Sequence, residues 1–147
     1  MKPIRYSLRV LSQLLSYPDA GVRQQWPQLM TVLDEEAVLS SARRTELQAL
    51  VAHLQHLNPM DAEARYVETF DRGRATCLHL FEHVHGDSRD RGPAMIDLTK
   101  TYEQSGLFLA PEELPDHLCV VLEFASTQTP EVAKAFLGEM AHILNAI

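Results

Sequence analysis

The chain has 147 residues, 46% of them apolar and 22% charged, and a formal net charge of −7. That length suits one domain with its own core, the composition is that of a globular protein, and no apolar run approaches the roughly 20 residues of a membrane span. Residues 1–91 carry 11 Lys/Arg against 12 Asp/Glu and residues 92–147 only 2 against 8, so nucleic-acid backbones are disfavoured and the acidic third suits either a basic partner or plain solvation.

Apolar residues recur at helical spacing throughout, without strand alternation, and Pro and Gly punctuate the pattern. The spacing predicts a first helix over about Ile4–Tyr17, with Leu8, Leu11 and Leu15 on one face. The N-terminus before it shows no apolar leader region, so no secretory signal is expected. A second helix runs through Val22, Trp26, Leu29, Val32 and Leu33, with Pro27 delaying its start or kinking it. Ser40 or Ser41 caps a third, carrying Leu47, Leu50, Val51, Leu54 and Leu57. Asn58-Pro59 opens a fourth that ends near Phe70.

A fifth helix is expected from about Thr76 to His85, stopped by Gly86. Pro93 opens a sixth that ends at Gly106. Pro111 and Pro115 precede a seventh through Leu118, Val121, Leu122 and Ala125, with Pro115 as its first residue. Thr129-Pro130 begins the last, with Val132, Phe136, Met140, Ile143 and Leu144 in a stripe. The expectation is an all-α, single-domain bundle of about eight helices over residues 1–147. Cys77 and Cys119 match no metal spacing and read as reduced, packed thiols.

The segment Tyr66–Met95 departs from core-building. It holds four Arg, five acids, three His and three Gly, and two charged turns, Asp71-Arg72-Gly73-Arg74 and Asp90-Arg91-Gly92-Pro93, bracket the expected fifth helix. Arg and Asp beside Gly let tight loops tie themselves together by charge-assisted hydrogen bonds. Arg72, Arg74, Arg89 and Arg91, with Asp71 and Asp90, are assigned to that tie, the alternative being contact with a partner's folded body.

Within it, His79-Leu80-Phe81-Glu82-His83 spells H-x-x-E-H. On a helix, His79 and His83 would share a face beside Glu82, as a zinc hydrolase requires; the competing reading is a polar face opposite Cys77, Leu80, Phe81 and Val84. No third ligand is evident, and no nucleophile elbow or phosphate loop occurs. A second constellation is Glu112-Glu113-Leu114-Pro115-Asp116-His117. With Pro115 first in its helix, Asp116 would meet the positive end of the helix dipole, His117 would be held neutral, and Glu123 would lie two turns on along the same face. Such a face is either a cradle for a basic amphipathic helix or simple capping and solubility.

Three blocks carry a family resemblance: Phe70-Asp71-Arg72-Gly73-Arg74-Ala75-Thr76, Leu80-Phe81-Glu82-His83-Val84-His85-Gly86 and Ser88-Arg89-Asp90-Arg91-Gly92. With Leu15-Ser16-Tyr17-Pro18-Asp19 before them and Leu114-Pro115-Asp116-His117-Leu118 after, they resemble the nitrate reductase assembly chaperones (the NarJ family) and, more widely, the TorD-like chaperones of molybdoenzymes. Glu113-Leu114-Pro115-Asp116-His117 is similar to the wider group's E-P-x-D-H, with Leu114 where that pattern has Pro.

The resemblance implies a TorD-like helical architecture, no catalysis and no resident cofactor or metal. It implies a cytoplasmic monomer or weak dimer, without membrane insertion, that binds the N-terminal peptide of the apo catalytic (alpha) subunit of nitrate reductase. It would hold that subunit open for molybdenum cofactor insertion before membrane docking. Asp116, His117 and Glu123 would contact the peptide's charges, and Phe70, Leu80, Phe81 and Tyr102 would form an apolar wall. Members commonly carry a longer C-terminal tail than this chain shows. A zinc hydrolase using His79, Glu82 and His83, and a generic helical interaction scaffold, are the alternatives.

Overall fold

Capping residues set most helix ends. In the computed structural model, which describes residues 1–147, eight α-helices form: α1 (Arg5–Leu14), α2 (Ala20–Glu36), α3 (Ser41–His56), α4 (Pro59–Tyr66), α5 (Arg91–Gln104), α6 (Leu118–Ser126), α7 (Pro130–Glu139) and α8 (Ala141–Ala146). Asp19, Ser40, Asn58 and Thr129 accept hydrogen bonds from the amides of Val22, Arg43, Asp61 and Val132 at the starts of α2, α3, α4 and α7, supplying partners for amides a helix leaves unpaired. Ile4 cannot do this for α1. There the Glu36 carboxylate, from the end of α2, accepts from the Tyr6 and Ser7 amides, satisfying the donors and placing negative charge at a positive helix end.

The expected all-α class stands, with three differences. No helix forms over Thr76–His85; only Leu80–Glu82 makes a 3₁₀ turn. Tertiary hydrogen bonds compete for this backbone: the Leu80 amide donates to the Asp116 carbonyl, the Leu118 amide to the Leu78 carbonyl, and the Phe81 amide to the Asp116 carboxylate. The helix expected from Pro115 starts at Leu118, and the last helix divides at Met140. α4 continues into a wide π-type turn over Val67–Asp71.

The almost wholly apolar α6 is the centre of the core. Its Val121 and Ala125 are fully buried, packed with Leu8 of α1, Leu78, Leu80, Ala133 of α7 and Ile143 of α8. Small residues let α1 and α6 approach, and Ser12 Oγ donates to the Cys119 carbonyl at 2.9 Å. Val10, Met30 and Leu33 join α1 to α2. Leu98 and Tyr102 of α5 meet Phe124 of α6, with the Tyr102 and Phe124 ring centroids 4.6 Å apart. α3 has no buried residue; its C-terminal carbonyls, those of Leu54, Gln55 and Leu57, accept instead from buried Arg23 of α2.

Candidate functional site

The short antiparallel pairing of His79 with His117 organises the site. Beside it, Asp116 has no exposed surface. Its Oδ2 accepts from the Phe81 amide at 3.0 Å and its Oδ1 lies 3.8 Å from His79 Nδ1, an ion contact rather than a hydrogen bond. Burial pushes the Asp116 carboxyl up, but His79 and the Phe81 amide together outweigh it and leave the group below its ordinary value. The same contact raises His79, against the opposing effect of its partial burial.

His117 is lowered, first by burial and then by the charge of His79. Its Nδ1 accepts from the Cys119 amide at 3.2 Å, so the imidazole is itself the N-cap of α6 and is held neutral with its proton on Nε2. The two rings meet edge to face, centroids 4.9 Å apart.

His79 and His117 open onto a polar cavity of about 800 Å³ between α1, the Glu112–Leu114 turn and α6. Glu112, Glu113 and Glu123 give it three carboxylates, and Arg9 is its one guanidinium. Glu113, Val120, Glu123 and Arg9 also line a second, more apolar cavity of about 350 Å³ that includes Leu107, Phe108 and Leu109. The two are chambers of one trough with its floor on α6. Cys119, Val120 and Glu123 are the residues of α6 that are not buried, and Glu123 is that helix's only charge.

The expected site residues divide. His117 and Glu123 share the polar chamber. Asp116 lies beneath it rather than on its wall: it has no exposed surface and its carboxylate is committed to Phe81 and His79. The apolar wall does not assemble. Leu80 is a core residue at 1% exposure. Tyr102 is equally buried, its hydroxyl donating to the Pro115 carbonyl at 2.6 Å, and it borders only the inner side of the apolar chamber. Phe81 is partly buried against the Leu98–Tyr102–Phe124 cluster.

Phe70 packs edge-on against Tyr66 and lines a separate apolar slot of about 340 Å³ with Leu11, Trp26, Leu47 and Val51. That slot contains one charge, Arg65, and no carboxylate, so it lacks charge complementarity to a basic segment.

No salt bridge joins the two charged turns: Arg74 reaches Asp87, which precedes the second turn, at 3.5 Å between exposed side chains, a contact worth little in water. Arg72 pairs instead with Glu68, one helical turn back. Arg91 pairs with Glu82, both partly buried, and so anchors the start of α5 to the 3₁₀ turn. Arg89, Asp71 and Asp90 form no salt bridge, so the expected mutual tie is absent. The zinc reading loses its geometric basis with the missing helix: His79 faces Asp116, His83 Nε2 contacts the Cys77 carbonyl at 2.8 Å and Glu82 holds Arg91. No three His, Cys, Asp or Glu side chains gather to hold a metal ion.

Sequence reasoning missed Arg9 and Phe108 as trough residues. Arg9 carries no local signal. Phe108 has one: the Leu107-Phe108-Leu109 alternation between Gly106 and Pro111.

The sequence profile of the nitrate reductase delta subunit family matches residues 17–145. The chain is 44% identical over 137 residues to the Escherichia coli K-12 nitrate reductase molybdenum cofactor assembly chaperone NarJ, covering 93% of this chain and 58% of that protein; it thus spans less than three-fifths of that relative's length. It is 34% identical over 129 residues to a probable nitrate reductase molybdenum cofactor assembly chaperone NarJ of Bacillus subtilis, covering 85% of this chain and 67% of the relative. A solved structure from Archaeoglobus fulgidus, described as a redox enzyme maturation protein, superposes with a TM-score of 0.65 at 18% identity, covering 96% of this chain and 82% of the other, and so shares the fold.

Proposed function

This chain belongs to the nitrate reductase delta subunit family, and from that membership we propose that it is an assembly chaperone for the catalytic subunit of a nitrate reductase, and not a catalyst. In this reading residues 1–147 act as one helical domain in the cytoplasm, as a monomer or weak dimer. The domain engages the N-terminal peptide of the apo subunit and keeps it from membrane docking until molybdenum cofactor is inserted. The trough on α6 supports the reading: Glu112, Glu113 and Glu123 surround a cavity whose single guanidinium is Arg9 and whose His79 is paired with buried Asp116, a charge pattern suited to a basic amphipathic helix. Asp116 fixes the Phe81 backbone beneath it, and neutral His117 offers Nε2–H as a donor at its edge.

Affinity has two sources of unequal size. Burying three or four large apolar side chains yields several kcal/mol before ordering costs, at roughly 1.5–3 kcal/mol each. Ion pairs at a wet rim add about 0–1 kcal/mol each. Apolar-to-Ala changes in the peptide therefore weaken binding more than single charge removals, and binding carries a negative heat-capacity change. The test is co-expression with the catalytic subunit, intact or lacking its leading residues, followed by affinity capture. The intact subunit is expected to be retained and the truncated one lost; equal capture of both refutes recognition through the N-terminal peptide.

A further inference from the structure

We infer that Phe108 is the apolar anchor of the trough, and that the segment between α5 and α6 selects clients carrying an apolar side chain about one helical turn from a basic one. The inference rests on the peptide-binding reading above and deepens it.

The local backbone fixes how Phe108 is presented. Gly106 adopts φ +82, and the Gly106 and Leu107 amides return to the Glu103 and Tyr102 carbonyls, the hydrogen-bond pair of a Schellman cap. The cap seats Leu107 on the Leu98–Tyr102–Phe124 cluster. Leu109 packs on the same cluster, so the intervening residue points the other way. Phe108 is left 76% exposed and lines the apolar chamber with Val120 of α6. Isolated exposed apolar residues are ordinary; an aromatic ring projected by a structured turn into a cavity is a more specific arrangement.

The charge of the neighbouring chamber identifies the occupant. Glu113 and Glu123 line both chambers, Glu112 lines the polar one, and Arg9 is the one guanidinium, the other basic group, His79, being paired with buried Asp116. On the floor, Val120 and Glu123 are three residues apart on α6, hence one turn apart on the same face. A helix laid along that floor meets apolar surface and carboxylate at the same one-turn interval. A basic amphipathic helix matches both, whereas an acidic or uniformly apolar segment matches at most one.

The test is titration calorimetry of the full chain with a synthetic peptide of about four helical turns from the N-terminus of a nitrate reductase catalytic subunit. Phe108→Ala is expected to weaken binding about tenfold or more, a ring's burial, with the same loss at low and high salt. Phe108→Leu should stay within about threefold, as a substitution that preserves apolar surface. Glu112→Gln/Glu113→Gln should weaken binding in a way that disappears at high salt. Met60→Ala, at an equally exposed residue outside the trough (79%), should change nothing. Thermal unfolding of Phe108→Ala should match the wild type, separating lost contact from lost fold. Unchanged affinity in Phe108→Ala overturns the inference and leaves the peptide reading standing. Failure of the wild-type chain to bind the peptide overturns both.

Discussion

Removing the Asp116 carboxylate tests whether this residue supports the site from below. In Asp116→Ala the Phe81 amide loses its acceptor at 3.0 Å; an unsatisfied buried donor costs about 1–3 kcal/mol. The 3.8 Å contact with partly exposed His79 adds no more than about 1 kcal/mol after solvent screening. Relief of the carboxylate's own desolvation offsets part of the total, leaving an expected loss of about 1–3 kcal/mol. Asp116→Asn keeps an oxygen that can accept from the Phe81 amide and removes the buried charge, so its loss should be about 1 kcal/mol or less.

The two ionisations also give opposite pH dependences. Asp116 is lowered from 3.8, so its contribution is present above about pH 3.8 and fades as pH falls through its folded value. His79 is raised from 6.5, so its contribution is full below about pH 6.5 and fades as pH rises through its folded value. The pair therefore stabilises most between about pH 4 and 6.5. His117, lowered from 6.5, acts in the opposite sense, so the comparison is between wild type and Asp116→Asn rather than within wild type. Urea unfolding followed by circular dichroism across this range measures both effects. The reasoning is refuted if Asp116→Asn is as damaging as Asp116→Ala, or if the difference between wild type and Asp116→Asn does not shrink above pH 6.5.

Arg23→Ala should destabilise the chain by about 2–3 kcal/mol, because the α3 carbonyls of Leu54 and Gln55 and that of Leu57 lose a charged donor; amide exchange should then rise along α3 more than along α6. Tyr102→Phe removes a buried 2.6 Å hydrogen bond to the Pro115 carbonyl and should cost about 1–2 kcal/mol in chemical unfolding, with peptide affinity little changed because the ring that borders the apolar chamber is kept. Arg9→Gln deletes the trough's one guanidinium and should tighten binding of a basic peptide about two- to fivefold at low salt, converging with wild type at high salt. Weaker binding by that variant would place Arg9 among the client's contacts.

Much of the helical framework is legible from sequence because its signals are local. Asn58-Pro59 and Thr129-Pro130 start helices where expected, since cap and first-turn geometry depend on adjacent residues alone. The family blocks are equally local, which is why the resemblance and the profile match agree. The site was legible only in part. Glu123 and His117 both line the trough, but Leu80 and Tyr102 gave no sign in sequence of whether they would line a groove or fill the core.

By itself the sequence determined that this protein is helical, where most of its helices begin and which family it belongs to, since these follow from short-range pattern and capping chemistry. The tertiary structure alone decided that Thr76–His85 would not be a helix, that Asp116 would be sealed beneath the site, and that Arg9 and Phe108 would line a cavity with Glu123. The physical reason is competition between distant groups. The Leu80 and Phe81 amides take their acceptors from Asp116, and that choice, made across more than thirty residues, outweighs the local preference to coil.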